Sequence, residues 1–174
     1  NGIISNNSGI KGGGIRNDLI LTLVNSTVTG NTGGGIYNGN GYYGASMTIA
    51  NSTISNNSGL QGGGVENLGP ATVADSIFEG NSADYGGGIY NTSTLTITDS
   101  TFSNNHASSS GYGAGGGINN YAGTLSVTNS IFSQNTAAGG GGIYNEGGNV
   151  TINNSAIYEN YAHSGGGVSN SGNM

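Results

Sequence analysis

Asp75 and Asp99 occupy the same place in two successive copies of one repeated stretch. Stacking those copies as parallel strands sets the two carboxylates about 4.8 Å apart, with Glu79 one strand further along the chain. Carboxylates at that spacing suit Ca²⁺ or a shared proton, the chemistry of a lyase or hydrolase site. The same two residues also read as solvated substitutes for corner asparagines, because their column otherwise holds Asn25, Asn51, Asn129 and Asn154. The bases Lys11 and Arg16 stand in the first repeat, away from the pair. His106 and His163 begin or neighbour loops on different repeats, without a ligand set around either. Where Ser is this common and His this rare, no Ser, His and Asp constellation stands out. The expectation is a protein that is not an enzyme, with no catalytic residue and no cofactor, and with Asp75 and Asp99 as the alternative metal pair.

The triple glycines invite a phosphate-cradle reading, but no GxxxxGK[ST] follows them and no strand leads from them into a helix. Their recurrence predicts a tight, crowded corner instead. Binding residues are sought in the loops, where a repetitive scaffold meets partners. GNGYYGAS is inserted between Asn38 and Met47, and HASSSGYGA between Asn105 and Gly115. Tyr42, Tyr43 and Tyr112 are therefore the candidate recognition residues. They fall at different corners and on different turns, which argues against one shared pocket.

The elements that must position these residues follow from one eleven-residue frame. Leu95 to Asn105 reads LTITDSTFSNN, and the frame returns without length change at Leu21, Met47, Ala71, Leu125 and Val150. A second word, GGG[IV]xN, lies between the copies, for example Gly86 to Asn91 and Gly140 to Asn145. One frame plus one word is a unit of roughly 24 residues, the period of a solenoid. Leu95 and Ile97 alternate with Thr96 and Thr98 as in a strand with one buried face. Phe102 heads a second strand, and Ile89 is the inward residue of a third. No stretch carries apolar residues at helical spacing, and glycine costs about 1 kcal/mol in a helix interior.

Equivalent strands stacked in register predict an all-β fold: a right-handed parallel β-helix (solenoid) of about seven turns, three short strands per turn, with no capping element visible. Asparagine recurs at three corners of each turn, predicting stacked Asn ladders. Residues 1–174 read as a single β-helix domain with both ends mid-turn. Such a chain is either a fragment of a longer solenoid or a subunit that stacks end to end on copies of itself.

A content of 37 glycines with only 6% charged residues is far from that of an average globular domain. The net charge of −6, with two basic residues, excludes a nucleic-acid backbone as partner. No apolar run approaches the roughly 20 residues of a membrane span. Cysteine is absent, so neither a disulfide frame nor a thiolate metal site is available. Asn, Thr and Ser richness with little Lys associates the chain with the extracellular surface of bacteria.

The alternation of GGGIYN with FSNN, FSQN and FEGN resembles the paired GGA[ILV] and FxxN repeats of the chlamydial polymorphic outer-membrane proteins, and related β-helix repeats of bacterial surface proteins. The resemblance spans nearly the whole chain and implies a right-handed parallel β-helix exposed outside the cell. The sequence departs from that pattern in carrying Gly where GGA has Ala, Ile or Val for Phe at Val28, Ile54 and Ile157, and no Cys.

The functional expectation is an extracellular structural or adhesive β-helix of a bacterial cell surface. Its partners are copies of itself stacked head to tail into a filament, or a cell-surface or extracellular glycan. A carbohydrate-binding or polysaccharide-degrading β-helix is the first alternative. The second is an ice-binding solenoid, suggested by the outward column Thr22, Thr48, Thr72, Thr96, Ser126 and Thr151, whose neighbouring column Val24, Ala50, Ala74, Thr98, Thr128 and Asn153 is less regular.

Overall fold

Side chains that alternate along a strand sort to opposite faces, and a frame of fixed length repeats that sorting on every coil. The computed structural model describes residues 2–39, 44–109 and 114–174. Among them there is no helix, and the strands pair in parallel with their equivalents one coil away.

Three long ladders result. The phenylalanine sheet has seven strands: Ile3–Ser5, Thr27–Thr29, Thr53–Ser55, Ile77–Glu79, Thr101–Ser103, Ile131–Ser133 and Ala156–Tyr158. The threonine sheet has six: Ile20–Val24, Ser46–Ala50, Ala71–Ala74, Thr94–Thr98, Thr124–Thr128 and Asn149–Asn153. The tyrosine sheet has seven: Ile15–Asn17, Ile36–Asn38, Val65–Asn67, Ile89–Asn91, Ile118–Tyr121, Ile143–Glu146 and Val168–Asn170. The chain thus makes about six turns of a parallel β-solenoid, close to the seven predicted. A fourth, shorter ladder joins Ser58–Gln61, Ser82–Tyr85 and His106–Ala107. It goes beyond the three strands per turn that the repeats predict, because these stretches show no apolar alternation.

The predicted apolar columns form one core. Phe78, Phe102 and Phe132 lie in one internal file with no exposed surface. Their ring centroids are 4.7 Å apart, and successive planes are inclined by 10° and 4°. The strand spacing imposes this near-parallel stacking, since each ring sits above its equivalent.

Two of the three asparagine columns are buried ladders. Along Asn7, Asn31, Asn57, Asn81, Asn105, Asn135 and Asn160, each Nδ2 donates to the next Oδ1 at 2.9–3.0 Å. The second ladder runs through Asn17, Asn38, Asn67, Asn91, Asn120, Asn145 and Asn170, with links of 2.6–2.8 Å. The third column corrects the expectation of a stacked ladder. Asn25, Asn51, Asp75, Asp99, Asn129 and Asn154 are exposed and adopt φ of 46–52°. Here Asn and Asp supply a left-handed bend rather than an amide chain. A ladder that the sequence reading missed stands beside it: the Ser52 amide donates to the Ser76 hydroxyl and the Ser76 amide to that of Ser100, at 3.1 and 3.2 Å. Each of these hydroxyls donates in turn to the carbonyl two residues back, as Ser76 does to Ala74.

The triple glycine is the crowded corner the repeats imply. Gly86 has φ of 68°, and a Cβ there would fall on the carbonyl of Ile89. A Cβ on Gly88 would lie 2.5 Å from the carbonyl oxygen of Gly117 on the next coil, and one on Gly117 would lie 2.6 Å from that of Gly142. Close approach of successive coils excludes a methyl group there, a physical reason for the departure from GGA.

Candidate functional site

In the word GGG[IV]xN, the Ile or Val and the Asn point inward, so x alone faces out. Register places Arg16, Tyr37, Glu66, Tyr90, Asn119, Tyr144 and Ser169 in a single outer file on the tyrosine sheet. Two regions follow from this file.

In the first three turns, both basic residues of the chain are engaged. Lys11 Nζ donates to Glu66 Oε1 at 2.7 Å, which compensates a carboxylate that is only 7% exposed. Lys11 and Arg16 also lie 4.9 and 5.1 Å from the centroid of the Tyr37 ring, within cation–π range. Arg16 Nε donates to Asp18 at 3.0 Å.

Further along, the file opens into a cleft of about 370 Å³ lined by Gln61, Tyr85, Tyr90, Asn119, Tyr121 and Glu146. Tyr85 comes from the short fourth ladder, and Tyr121 and Glu146 end strands of the tyrosine sheet. Tyr90 and Asn119 are buried, whereas Tyr85 and Tyr121 are 38% and 48% exposed. The rings of Tyr90 and Tyr121 are nearly parallel, inclined by 17° with centroids 6.5 Å apart. Burial pushes the Tyr90 hydroxyl above its ordinary pKa, helped by Tyr121, Glu66, Glu146 and Tyr85. A raised folded-state value favours the neutral phenol, so its stabilising effect holds below the ordinary tyrosine range and fades only as pH climbs through the raised value. The cleft thus offers exposed aromatic faces, a phenol that stays protonated, side-chain amides and one carboxylate. That set can stack on and hydrogen-bond to a ligand through rings, amides, phenols and a carboxylate.

Asp75 and Asp99 lie elsewhere, at the exposed left-handed corners between the threonine and phenylalanine sheets. Among the described residues, no group of three or more His, Cys, Asp or Glu gathers to hold a metal. Tyr42, Tyr43 and Tyr112 fall outside the described residues. His106 and His163, expected on separate turns, line one shallow cavity of about 280 Å³ with Thr136, Ala137 and Tyr161. His106 Nδ1 is 2.7 Å from the Thr136 hydroxyl. The outward threonines stack in register as read, from Thr22 through Thr48, Thr72, Thr96 and Ser126 to Thr151.

Comparison with known proteins adds one finding. Residues 75–92 and 129–146 match the Chlamydia polymorphic membrane protein repeat. Each matched stretch runs from a left-handed corner through a stacked phenylalanine and a ladder asparagine to the outward residue of GGGIYN. Tyr85, Tyr90 and Glu146 of the cleft lie within them. These repeats are similar to that family's, and they point to a bacterial outer-membrane or surface protein with a β-helix fold. No curated protein and no solved structure matches the chain.

The cleft residues escaped the sequence reading, which sought recognition only in the insertions. The signal was the variable x of GGG[IV]xN, where Tyr alternates with Glu, Asn and Arg while every other position of the word is nearly fixed.

Proposed function

We propose that the chain is the extracellular, structural and adhesive β-helix of a bacterial cell surface, a stiff rod that presents contact residues on the outside of its coils. The observation that supports this reading best is that the two stretches matching the surface-protein repeat supply two of the three stacked phenylalanines, Phe78 and Phe132, and three of the six cleft residues, Tyr85, Tyr90 and Glu146. Rigid inner ladders hold the outward residues at fixed spacing, so contacts are pre-organised and cost little ordering on binding. The carboxylates nearest the tyrosines favour binding over hydrolysis. Glu66 and Glu146 sit on strands three apart, hence about 14 Å or more at 4.8 Å per strand, whereas glycosidic carboxylates act at roughly 5–9.5 Å.

Antibody raised against the purified chain is expected to label intact cells of the source bacterium. Labelling that appears only after permeabilisation would contradict surface display. Head-to-tail assembly is a further part of the reading, because equivalent coils pair in parallel and in register all along the chain, a mode of stacking that coils of another copy could continue. Electron microscopy over a concentration series tests it: filaments support assembly from copies, and single particles at every concentration oppose it.

A further inference from the structure

The geometry points to a binding site for a glycan chain without acidic groups in the cleft between Tyr85 and Tyr121, a partner class that builds on the adhesive reading above. Four observations converge. First, two of the lining residues, Tyr85 and Tyr121, are tyrosines that are 38% and 48% exposed, with Tyr121 stacked beside Tyr90. The negative face of an aromatic ring attracts the polarised C–H groups of a pyranose, and the phenol at its edge remains free for a sugar hydroxyl. Second, the floor and rim carry Tyr90, Asn119, Gln61 and Glu146, donors and acceptors suited to hydroxyl and acetamido groups.

Third, charge excludes the acidic polysaccharides. Glu146 lines the cleft, Glu66 lies close enough to raise the Tyr90 pKa, and the chain carries a net charge of −6. The two cations that could have recruited an anionic polymer are tied instead to Glu66, Asp18 and the Tyr37 ring. Fourth, an extended peptide finds no strand edge here, since the strands Ile89–Asn91 and Ile118–Tyr121 are paired on both sides. Main-chain hydrogen bonding, the usual grip on such a peptide, is therefore already taken up along these two strands. A β-linked glycan needs no such edge. Its sugar unit advances by roughly one strand spacing of 4.8 Å, so successive units laid along the solenoid axis meet successive outward residues of the file.

The test is titration of the purified 174-residue chain with cellohexaose, with a hexamer of N-acetylglucosamine, with a hexamer of glucosamine and with hexagalacturonate. Saturable binding of at least one of the first three, with no binding of the uronate, is expected. Y121A and Y85A are each expected to weaken that binding about tenfold, the loss of a single aromatic anchor. Y158A removes a tyrosine that is 49% exposed on the phenylalanine sheet and is expected to leave binding unchanged. Circular dichroism melts of all three variants within a few degrees of the parent would show that the fold persists.

Binding of the uronate as tightly as the others, equal loss in Y158A, or absence of binding to every glycan would each overturn the proposal. So would tyrosine-dependent capture of peptides in place of glycans. Surface labelling of intact cells is independent of all these outcomes, so failure of the glycan site and failure of the adhesive reading are separable.

Discussion

Phe102→Ala is expected to destabilise the solenoid by about 4 kcal/mol, within the range found for buried phenylalanines. Phe102 has no exposed surface and stacks on Phe78 below and Phe132 above, both at 4.7 Å. Truncation removes two ring contacts at once, and collapse around the void is limited. The strand Thr101–Ser103 is held in register on both sides, Phe102 opposite Phe78 and opposite Phe132. For a chain of this length, about 4 kcal/mol corresponds to roughly 8–16 °C in the thermal midpoint. Because each coil contacts only its neighbours, amide hydrogen exchange should also accelerate first around Phe78, Phe102 and Phe132. A loss under about 1 kcal/mol, or acceleration spread evenly over the chain, would contradict the stack.

Asn105→Asp is expected to cost about 3–5 kcal/mol at neutral pH, the range for leaving a buried charge uncompensated. Asn105 Nδ2 donates to the Phe78 carbonyl at 2.9 Å and to Asn135 Oδ1 at 3.0 Å, while its Oδ1 accepts from the amide and Nδ2 of Asn81, both at 3.0 Å. An oxygen in place of Nδ2 confronts two acceptors in a site with no exposure. Burial of the new carboxyl raises its folded-state pKa above the unfolded value near 4. The sign follows: the penalty is smallest below the unfolded value, where the group is protonated in both states, and grows as pH rises through the raised one. Denaturation at pH 4 and pH 8 measures it, and a deficit that shrinks with rising pH would contradict the ladder. Asp99→Asn, at an exposed left-handed corner, is the matched control and should change stability by no more than about 0.5 kcal/mol.

The contrast between Asn105 and Asp99 also shows what was legible in the sequence. Inward files could be read directly, because period-two alternation in a frame of constant length leaves one register. The phenylalanine file, the two aliphatic files of the threonine sheet and the isoleucine file of the tyrosine sheet all follow from it. Asparagine was harder to assign, since the same residue serves a left-handed bend and an amide ladder. The distinguishing mark is Asp. A ladder position must donate as well as accept, so Asp is barred there, and the column that admits Asp75 and Asp99 is the exposed bend. The positions just before the ladder asparagines obey the same logic: Asn56, Gly80, Asn104, Gln134 and Glu159 all have positive φ, and their side chains differ freely.

The fourth ladder was hidden because its strands are short, differ in length from coil to coil and carry no apolar alternation. The cleft was hidden for a different reason. Tyr85, Tyr90, Tyr121 and Glu146 belong to three coils and two sheets, and only the stacking of those coils brings them to one place. The x of GGG[IV]xN marks only Tyr90 and Asn119, and no spacing within a single repeat announces the other four lining residues.

Formation of a disulfide between new cysteines tests the in-register stacking most directly, against a background without native thiols. Thr72 and Thr96 are outward partners on adjacent strands, about 4.8 Å apart and within the span a disulfide bridges. Thr72 and Thr98 are diagonal neighbours at roughly 7–8 Å, beyond that span. Under mild oxidation T72C/T96C is predicted to close an intramolecular bond rapidly while T72C/T98C stays reduced. Equal oxidation of the two pairs, or preference for the diagonal one, would contradict the solenoid register on which the core, the ladders and the cleft all depend.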